Sequence, residues 1–110
     1  MKIKVSTIKK RSEFKLINTK GESYRSNSFI LKKLFDNELS DSFRVGYTAS
    51  KRIGGAVQRN RAKRLMRELF KKNILKYGKK NFSYVLIAKK PIFDTTFDSM
   101  SKELKVLLQK

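Results

Sequence analysis

The sequence predicts an α+β fold in which three helices pack on a small, mainly antiparallel sheet. Its 110 residues fit one compact domain, spanning residues 1–110, and a hydrophobic share of 39% is enough for a small core. Apolar residues alternate with polar ones over residues 42–49 but recur with a helical period over residues 62–70 and 97–108. The predicted order is α-β-β-α-β-α, with one further strand if the N-terminal arm and the segment near Tyr24 pair separately.

The N-terminal part predicts a basic extended arm followed by a short helix. Three apolar side chains of the arm are expected to be partly packed: Ile3, Val5 and Ile8. The helix is predicted over about residues 12–19, with Ser12 as its N-cap and a stop near Gly21.

Two strands are predicted next, joined by a polar connection. Residues 24–35 form the first and residues 42–49 the second, whose odd-numbered apolar positions should face a core while its even-numbered positions face water. Their order suggests an antiparallel hairpin. The acids of the connection, Asp36, Glu38 and Asp41, are typical of a solvated loop, and a weak metal contact there is the alternative.

The second half of the chain predicts a long helix, a strand and a last helix. The long helix runs from Gly55 or Ala56 to Tyr77, with Gly78 after its end. Residues 82–90 are apolar without clean alternation, which is typical of a central strand. Asp94 or Thr95 is expected to cap the last helix. Its apolar stripe comprises Phe97, Met100, Leu104, Leu107 and Leu108.

The charge of the chain indicates a polyanionic partner. The 28 Lys and Arg against 9 Asp and Glu give a formal net charge of +19, which destabilises a compact state unless a partner neutralises it. Nucleic acid is the first candidate partner and an anionic membrane surface the second. No apolar run is long enough to cross a membrane. Cysteine is absent, which fits the cytoplasm.

Histidine is absent as well, so a histidine-type RNA-cleaving pair is excluded. A metal-dependent nuclease would need convergent carboxylates, and the acids of this chain are scattered. We therefore predict no catalytic residue, and the sequence assigns no metal site on the protein.

The long helix is basic on one side. The pattern of Ala62, Leu65, Met66, Leu69 and Phe70 marks its buried face. The opposite side carries Asn60, Lys63, Arg64, Arg67 and Lys71, flanked by Arg61 and Lys72. Like charges at helical spacing cost stability in isolation, and RNA phosphates would remove that cost. For Asn60 two readings stay open: a directed hydrogen bond to RNA, or a residue that fixes the first helical turn.

The segment from Arg44 to Phe70, RVGYTASKRIGGAVQRNRAKRLMRELF, closely resembles the signature of the bacterial ribonuclease P protein component. Its centre is the RNR motif, Arg59-Asn60-Arg61. IKKRSEFKLI, SYVLIAKKP and FDSMSKELKVLLQK resemble the opening helix, late strand and closing helix of that family, so the resemblance covers nearly the whole chain.

The resemblance implies an α+β sandwich with a left-handed βαβ crossover. It also implies two partners, the catalytic RNA of ribonuclease P and precursor tRNA, and a role in removing the 5′ leader. In that family the RNA carries the active site and binds most of the Mg²⁺. The protein holds the leader in a cleft between its first helix and its sheet. No stable protein partner is expected.

The resemblance and the helical wheel together give the expected contact residues. Those expected to bind RNA are Arg59, Asn60, Arg61, Lys63, Arg64, Arg67, Lys71, Lys51 and Arg52. Those expected to line the leader cleft are Phe14, Lys32, Arg44 and Thr48. The sequence departs from the family pattern at Asn18 and Lys32, where aromatic rings are common, and at Gly55, where asparagine is usual.

Two other functions account for part of these features. A ribosomal or general RNA-binding protein would explain the charge but not the ordered motif block. An autonomous nuclease would need a catalytic group that the sequence does not supply. Attachment to a membrane surface is disfavoured, because the apolar helix faces are needed for the core.

Overall fold

Five strands form one sheet with helices on both faces in the computed structural model, which describes residues 5–39 and 42–110. The strands are β1 (Val5–Thr7), β2 (Glu22–Arg25), β3 (Phe29–Phe35), β4 (Phe43–Thr48) and β5 (Phe82–Ala88). The helices are α1 (Arg11–Lys20), α2 (Ala56–Tyr77) and α3 (Phe97–Leu108). The α+β class is confirmed. Two residues of the predictions, Ile3 and Asp41, lie outside the described ranges.

The strand order is β1-β4-β5-β3-β2, so β5 occupies the centre. It pairs antiparallel with β3 and parallel with β4, and β2 and β1 complete the two edges. The predicted antiparallel hairpin between residues 24–35 and residues 42–49 is therefore wrong, because β5 separates β3 from β4. The sequence pattern of a strand reports which side is apolar but not which strand lies beside it. The β4–α2–β5 segment is a parallel βαβ unit, and the handedness of its crossover stays a prediction.

The predicted strand over residues 24–35 is two strands, β2 and β3, which form the actual hairpin. Ser26 makes the turn between them. Its hydroxyl oxygen accepts hydrogen bonds from the backbone N–H groups of Ser28 and Phe29, both at 3.2 Å. Serine side chains favour turns by such bonds. The five strands are thus two more than the predicted order contains and one more than its alternative allows, because the N-terminal arm and the segment near Tyr24 each form a strand.

The main core lies between one face of the sheet and helices α2 and α3. Of the predicted buried face of α2, Leu65 is half-buried, and four side chains are fully buried: Ala62, Met66, Leu69 and Phe70. The stripe of α3 is confirmed in the same way, with Phe97 only partly covered. Tyr84 and Leu86 of β5 contribute the opposing surface. This packing fixes α2 along the sheet and leaves its basic side outside.

Helix α1 packs on the other face of the sheet, so the prediction that the even-numbered positions of residues 42–49 face water is wrong at Gly46, which is buried, while Ser42, Arg44 and Thr48 are partly exposed. Ile8, Ile17 and Val85 form a second buried cluster there. Gly46 is buried under the ring of Phe14, and a Cβ atom on it would lie 2.6 Å from Cε1 of that ring. The alternation of apolar and polar residues over residues 42–49 predicts that Gly46 faces water. A glycine has no side chain, however, so the same position can also pack closely against a ring.

The helix ends differ from the predictions in detail. Lys10, rather than Ser12, precedes α1, and no side chain caps that helix. Helix α2 ends at Tyr77 as predicted, but Gly78 has φ −72° and needs no left-handed conformation. Helix α3 is capped by Thr96, one residue later than expected. The hydroxyl of Thr95 instead donates to the carbonyl oxygen of Pro91 at 2.8 Å.

Replacing Thr96 with alanine should lower the free energy of unfolding by about 0.5–2 kcal/mol. The reason is that the hydroxyl oxygen of Thr96 accepts the backbone N–H of Ser99 at 3.2 Å, which the alanine variant leaves without this partner. Urea unfolding of the two proteins measures the difference. Thr96→Ser is the control, since it keeps the hydroxyl, and an equal loss in both variants would contradict the assignment of the cap.

Candidate RNA-binding site

A cavity of about 910 Å³ lies between α1, the end of β4 and the N-terminal half of α2. We call it the α1 cleft. Its lining residues are Lys9, Arg11, Ser12, Phe14, Lys15, Asn18, Thr19, Tyr47, Thr48, Ala49 and Lys63. Four of these side chains are cationic and none is acidic, so the cavity concentrates positive potential. An anionic chain is the ligand that this combination favours.

Helix α1 contributes to the cleft through one face. Arg11, Phe14, Lys15 and Asn18 follow the spacing i, i+3, i+4, i+7, which places them side by side. Arg11, Lys15 and Asn18, together with Lys9 and Thr19, were not predicted as site residues from the sequence. The helical spacing of two cations around Phe14 was the signal that could have identified this face.

Phe14 and Thr48, both expected in the leader cleft, line the α1 cleft. The ring of Phe14 packs on Gly46 and is half-buried. Thr48 lies on the same face of β4 two residues further along, with its side chain partly exposed. Together they give the cleft an aromatic wall and a hydroxyl group.

Arg44 is not in the α1 cleft, although it lies on the same face of β4. It makes an ion pair with Glu13 of α1. These two residues line a separate cavity with Leu34 and Ser83, on the opposite flank of α1. Arg44 therefore links α1 to the sheet through Glu13, a residue for which the sequence pattern predicts no role.

Lys32 lies beside the cleft without lining it. Its Nζ atom donates a hydrogen bond of 3.0 Å to the backbone carbonyl of Asn18, in the last turn of α1. A cation at this end of a helix is favourable, because the last carbonyl groups lack helical partners. Part of the hydrogen-bonding capacity of Lys32 is thus used within the protein.

The charged side of α2 divides between two flanks. Lys63 lines the α1 cleft, and the guanidinium of Arg67 lies 5.9 Å from the ring centroid of Tyr47, which also lines it. On the opposite flank the guanidinium of Arg61 lies 5.5 Å from the ring centroid of Phe93. Both contacts are within the range of a cation–π interaction.

The remaining predicted RNA-binding residues of α2 extend from its second turn to its C-terminal half. Asn60, Arg64 and Lys71 are exposed, and Asn60 precedes Lys63 by one turn. Arg59 is half-buried, and its Nε atom has no hydrogen-bond partner within the described part of the chain. Asn60 is the fifth residue of α2 and lies beyond its first turn, so the interpretation that it fixes that turn is wrong, and a hydrogen bond from Asn60 to RNA stays a prediction.

Lys51 and Arg52 belong to a 3-10 turn over Lys51–Ile53, directly before α2, and both are exposed. Arg52 also lines a second cavity, of about 560 Å³, at the end of β4 and β5. Lys89 and Lys90, which were not predicted to bind RNA, line that cavity too. Arg52 therefore shares this cavity with a pair of cations that follows β5.

Tyr47 was predicted as core and is instead a half-buried residue between core and cleft. Its ring packs against Phe70 with centroids 5.7 Å apart, and its opposite side lies under Arg67. Burial raises the pKa of Tyr47, which the positive charge of Arg67 opposes. The phenol is thus neutral near pH 7 and keeps its O–H as a hydrogen-bond donor.

Metal-ligating side chains do not cluster in the described part of the chain. Within residues 5–39 and 42–110 there is no group of three or more His, Cys, Asp or Glu that could hold an ion. In the same ranges, no helix is both long enough and apolar enough to cross a membrane.

The family model described as Ribonuclease P matches residues 3–110. The ribonuclease P protein component of Bacillus pumilus (strain SAFR-032) is 38% identical over 107 residues, covering 97% of this chain and 88% of that protein. This chain belongs to the ribonuclease P protein family. Members of this family are protein components of ribonuclease P, a ribonucleoprotein nuclease of tRNA processing. The resemblance noted in the sequence is confirmed.

Solved structures of the family have the same fold. The RNase P protein of Staphylococcus aureus superposes with a TM-score of 0.75 at 34% identity, over 94% of this chain and 92% of that one. The RNase P protein from Thermotoga maritima gives a TM-score of 0.80 at 27% identity, over 94% of each chain.

One of the departures from the ribonuclease P pattern falls inside the cleft. Asn18 lines it at a position where an aromatic ring is common, so Phe14 is the one aromatic side chain that α1 supplies there. An amide offers hydrogen bonds where a ring would offer a stacking surface. Lys32, the second departure, lies next to Asn18 through its bond to the backbone.

The contact between Gly46 and Phe14 can be tested by a double-mutant cycle. Gly46→Ala should lower the free energy of unfolding by about 1–3 kcal/mol, because the added methyl group overpacks the ring. In a Phe14→Leu background the same change should cost clearly less, since the smaller side chain leaves room. Urea unfolding of all four proteins measures the coupling. Equal costs in both backgrounds would show that the ring does not rest on Gly46.

Proposed function

We propose that this chain is the protein subunit of ribonuclease P and that it binds both the catalytic RNA and the 5′ leader of precursor tRNA. By holding both, it assists the Mg²⁺-dependent cleavage, carried out by the RNA, that removes the leader. The observation that carries the proposal is the α1 cleft, cationic and free of lining acids, at the side of the RNR helix in a chain of this family.

The cleft residues offer what a single-stranded leader requires. Lys9, Arg11 and Lys15 supply positive charge for the phosphates along α1. Phe14 offers a ring on which a base can stack, worth about 1–3 kcal/mol per base. Stacking is tolerant of sequence, so the cleft would hold leaders mainly by backbone and shape.

The two flanks of α2 are suited to two different RNA partners. Lys63 and Arg67 border the cleft and would contact the leader. Arg61, on the opposite flank, and Arg64, exposed between the flanks, would contact the catalytic RNA. One rigid helix would then hold substrate and catalyst at a fixed distance, which favours a productive geometry.

Mg²⁺ is assigned to the RNA partner, because the described side chains do not form a cluster that fits the ion. Bound there, the metal would stabilise the charge that develops on the phosphate oxygens during cleavage. The contribution of the protein is electrostatic: its cations reduce the repulsion between two RNA molecules. We place this activity in the cytoplasm.

Reconstitution with the cognate catalytic RNA tests the proposal. At low Mg²⁺, adding the protein should raise the rate of precursor-tRNA cleavage well above that of the RNA alone, because it supplies charge that the metal would otherwise provide. The rate is measured by gel separation of leader and mature tRNA. Protein without catalytic RNA is the control and should leave the precursor intact. No gain over RNA alone would refute the proposal.

A general RNA-binding protein is the alternative, and a competition assay separates it. A ribonuclease P subunit should keep its preference for the catalytic RNA in the presence of excess ribosomal RNA. A general binder should lose it, since phosphate contacts alone carry no sequence information.

The two flanks of α2 should respond differently to substitution. Lys63→Ala with Arg67→Ala should weaken binding of precursor tRNA to the preformed holoenzyme, with a salt-dependence slope smaller by about 0.7 for each lost single-strand contact. Arg61→Ala with Arg64→Ala should mainly weaken binding of the catalytic RNA. Filter binding over a salt series measures both. The two pairs serve as controls for each other, and identical profiles would contradict the division.

A further inference from the structure

A second basic groove lies between α2 and α3, away from the α1 cleft. Four lysines line it, two from each helix: Lys72, Lys76, Lys102 and Lys105. None of the described residues that line this groove is acidic. Asp98 stands near one end, where its carboxylate is 4.0 Å from Nζ of Lys72, and both side chains are largely exposed. Such an exposed pair contributes little, so most of the positive charge stays unbalanced.

Aromatic rings, rather than carboxylates, position two of the four ammonium groups. Nζ of Lys105 lies 4.9 Å from the ring centroid of Tyr77, and Nζ of Lys72 lies 5.4 Å from that of Phe97. A cation over a ring face keeps N–H donors that the ring does not saturate. These donors remain available to an anion.

The floor of the groove is fixed by a buried polar side chain. Asn73, 3% exposed, donates hydrogen bonds of 2.9 Å to the carbonyl of Leu69 and to the hydroxyl of Ser101. The second bond joins α2 to α3. The spacing of the lysines on the two helices is therefore set by the fold, which reduces the ordering cost of binding.

The groove and the α1 cleft lie on opposite flanks of α2. Lys63 lines the cleft, whereas Lys72 and Lys76, further along the helix and rotated away, line the groove. The groove is therefore a surface separate from the cleft, with no lining residue in common. The positive charge of the groove consequently needs a ligand of its own, and like charges at Lys72 and Lys76, one turn apart, would otherwise lower the stability of the helix.

We propose that this α2–α3 lysine groove binds a second stretch of RNA phosphodiester backbone, so that the subunit binds RNA both at the α1 cleft and at the groove. The inference rests on the proposed function, because it takes RNA as the partner. The phosphates can come from the catalytic RNA or from precursor tRNA, which offer the same chemistry. Lysines without a planar fork bind them as point charges, so the groove adds affinity and not sequence preference.

The test is a charge reversal on α3, Lys102→Glu with Lys105→Glu, in the full chain. Affinity for the RNA source should fall at least about tenfold at 0.1 M salt, and the log–log salt slope should shrink by about 0.7–0.9 for each lost contact. The matched control is Arg25→Glu with Lys80→Glu, which changes net charge equally at exposed positions outside both surfaces. Screening over about 10 Å at this salt keeps the control effect small.

Two arms identify the source of the phosphates. In the first, each variant is titrated with the cognate catalytic RNA alone. In the second, precursor tRNA is titrated into holoenzyme preassembled at saturating protein. A loss confined to the first arm assigns the groove to the catalytic RNA, and a loss confined to the second assigns it to the precursor.

A second variant distinguishes the loss of phosphate contacts from misfolding of the protein. Lys102→Ala with Lys105→Ala removes the contacts without adding repulsion, and its thermal unfolding should match that of the wild type. Its salt slope should shrink as much as that of the reversal. If both variants bind like the control pair in both arms, the groove does not bind RNA. If the wild type itself fails to bind catalytic RNA or to stimulate cleavage, the proposed function fails instead.

Discussion

The site depends on the close approach of α1 to the sheet at Gly46. Only a residue without a side chain lets the ring of Phe14 rest on β4, with 2.6 Å between Cε1 and the position that a Cβ atom would take. The apolar cluster of Ile8, Ile17 and Val85 and the ion pair of Glu13 with Arg44 hold the helix in that position. The α1 cleft is the space that remains beside it.

The central position of β5 explains how α2 reaches the cleft. Because β4 and β5 are adjacent and parallel, the chain between them must cross over one face of the sheet, and α2 makes that crossing. Its apolar side packs on the main core, so its charged side faces outward near the end of β4. The result is a single helix that borders the α1 cleft on one side and the lysine groove on the other.

Electrostatics constrain this protein as strongly as packing does. A formal net charge of +19 on 110 residues disfavours a compact state, and the fold spreads that charge over separate surfaces. Several cations lie over aromatic rings: Arg61 over Phe93, Arg67 over Tyr47 and Lys105 over Tyr77. Such contacts hold a cation without neutralising it, which keeps the charge available for phosphates.

The basic face of α2 and the buried faces of α2 and α3 could be predicted from the sequence, whereas several local details could not. The helical period of α2 and α3 identified their buried faces, since one helix turn brings residues i, i+3 and i+4 together whatever lies opposite. The strand pattern of β4 was misread at Gly46, because the absence of a side chain looks the same whether a position faces water or a packed ring. The cap of α3 was misplaced by one residue, because neighbouring threonines compete for the same role and only the backbone path selects one.

By itself, the sequence determined the α+β class, the basic helix and, through the ordered block from Arg44 to Phe70, the family. These follow from local periodicity, composition and residue order, which do not require knowledge of distant neighbours. Only the tertiary structure decided that β5 separates β3 from β4, that Arg44 pairs with Glu13 outside the α1 cleft, and that Lys9, Arg11 and Lys15 line it. These are relations between segments far apart in the chain, and strand pairing and helix docking are set by the packing of the whole core.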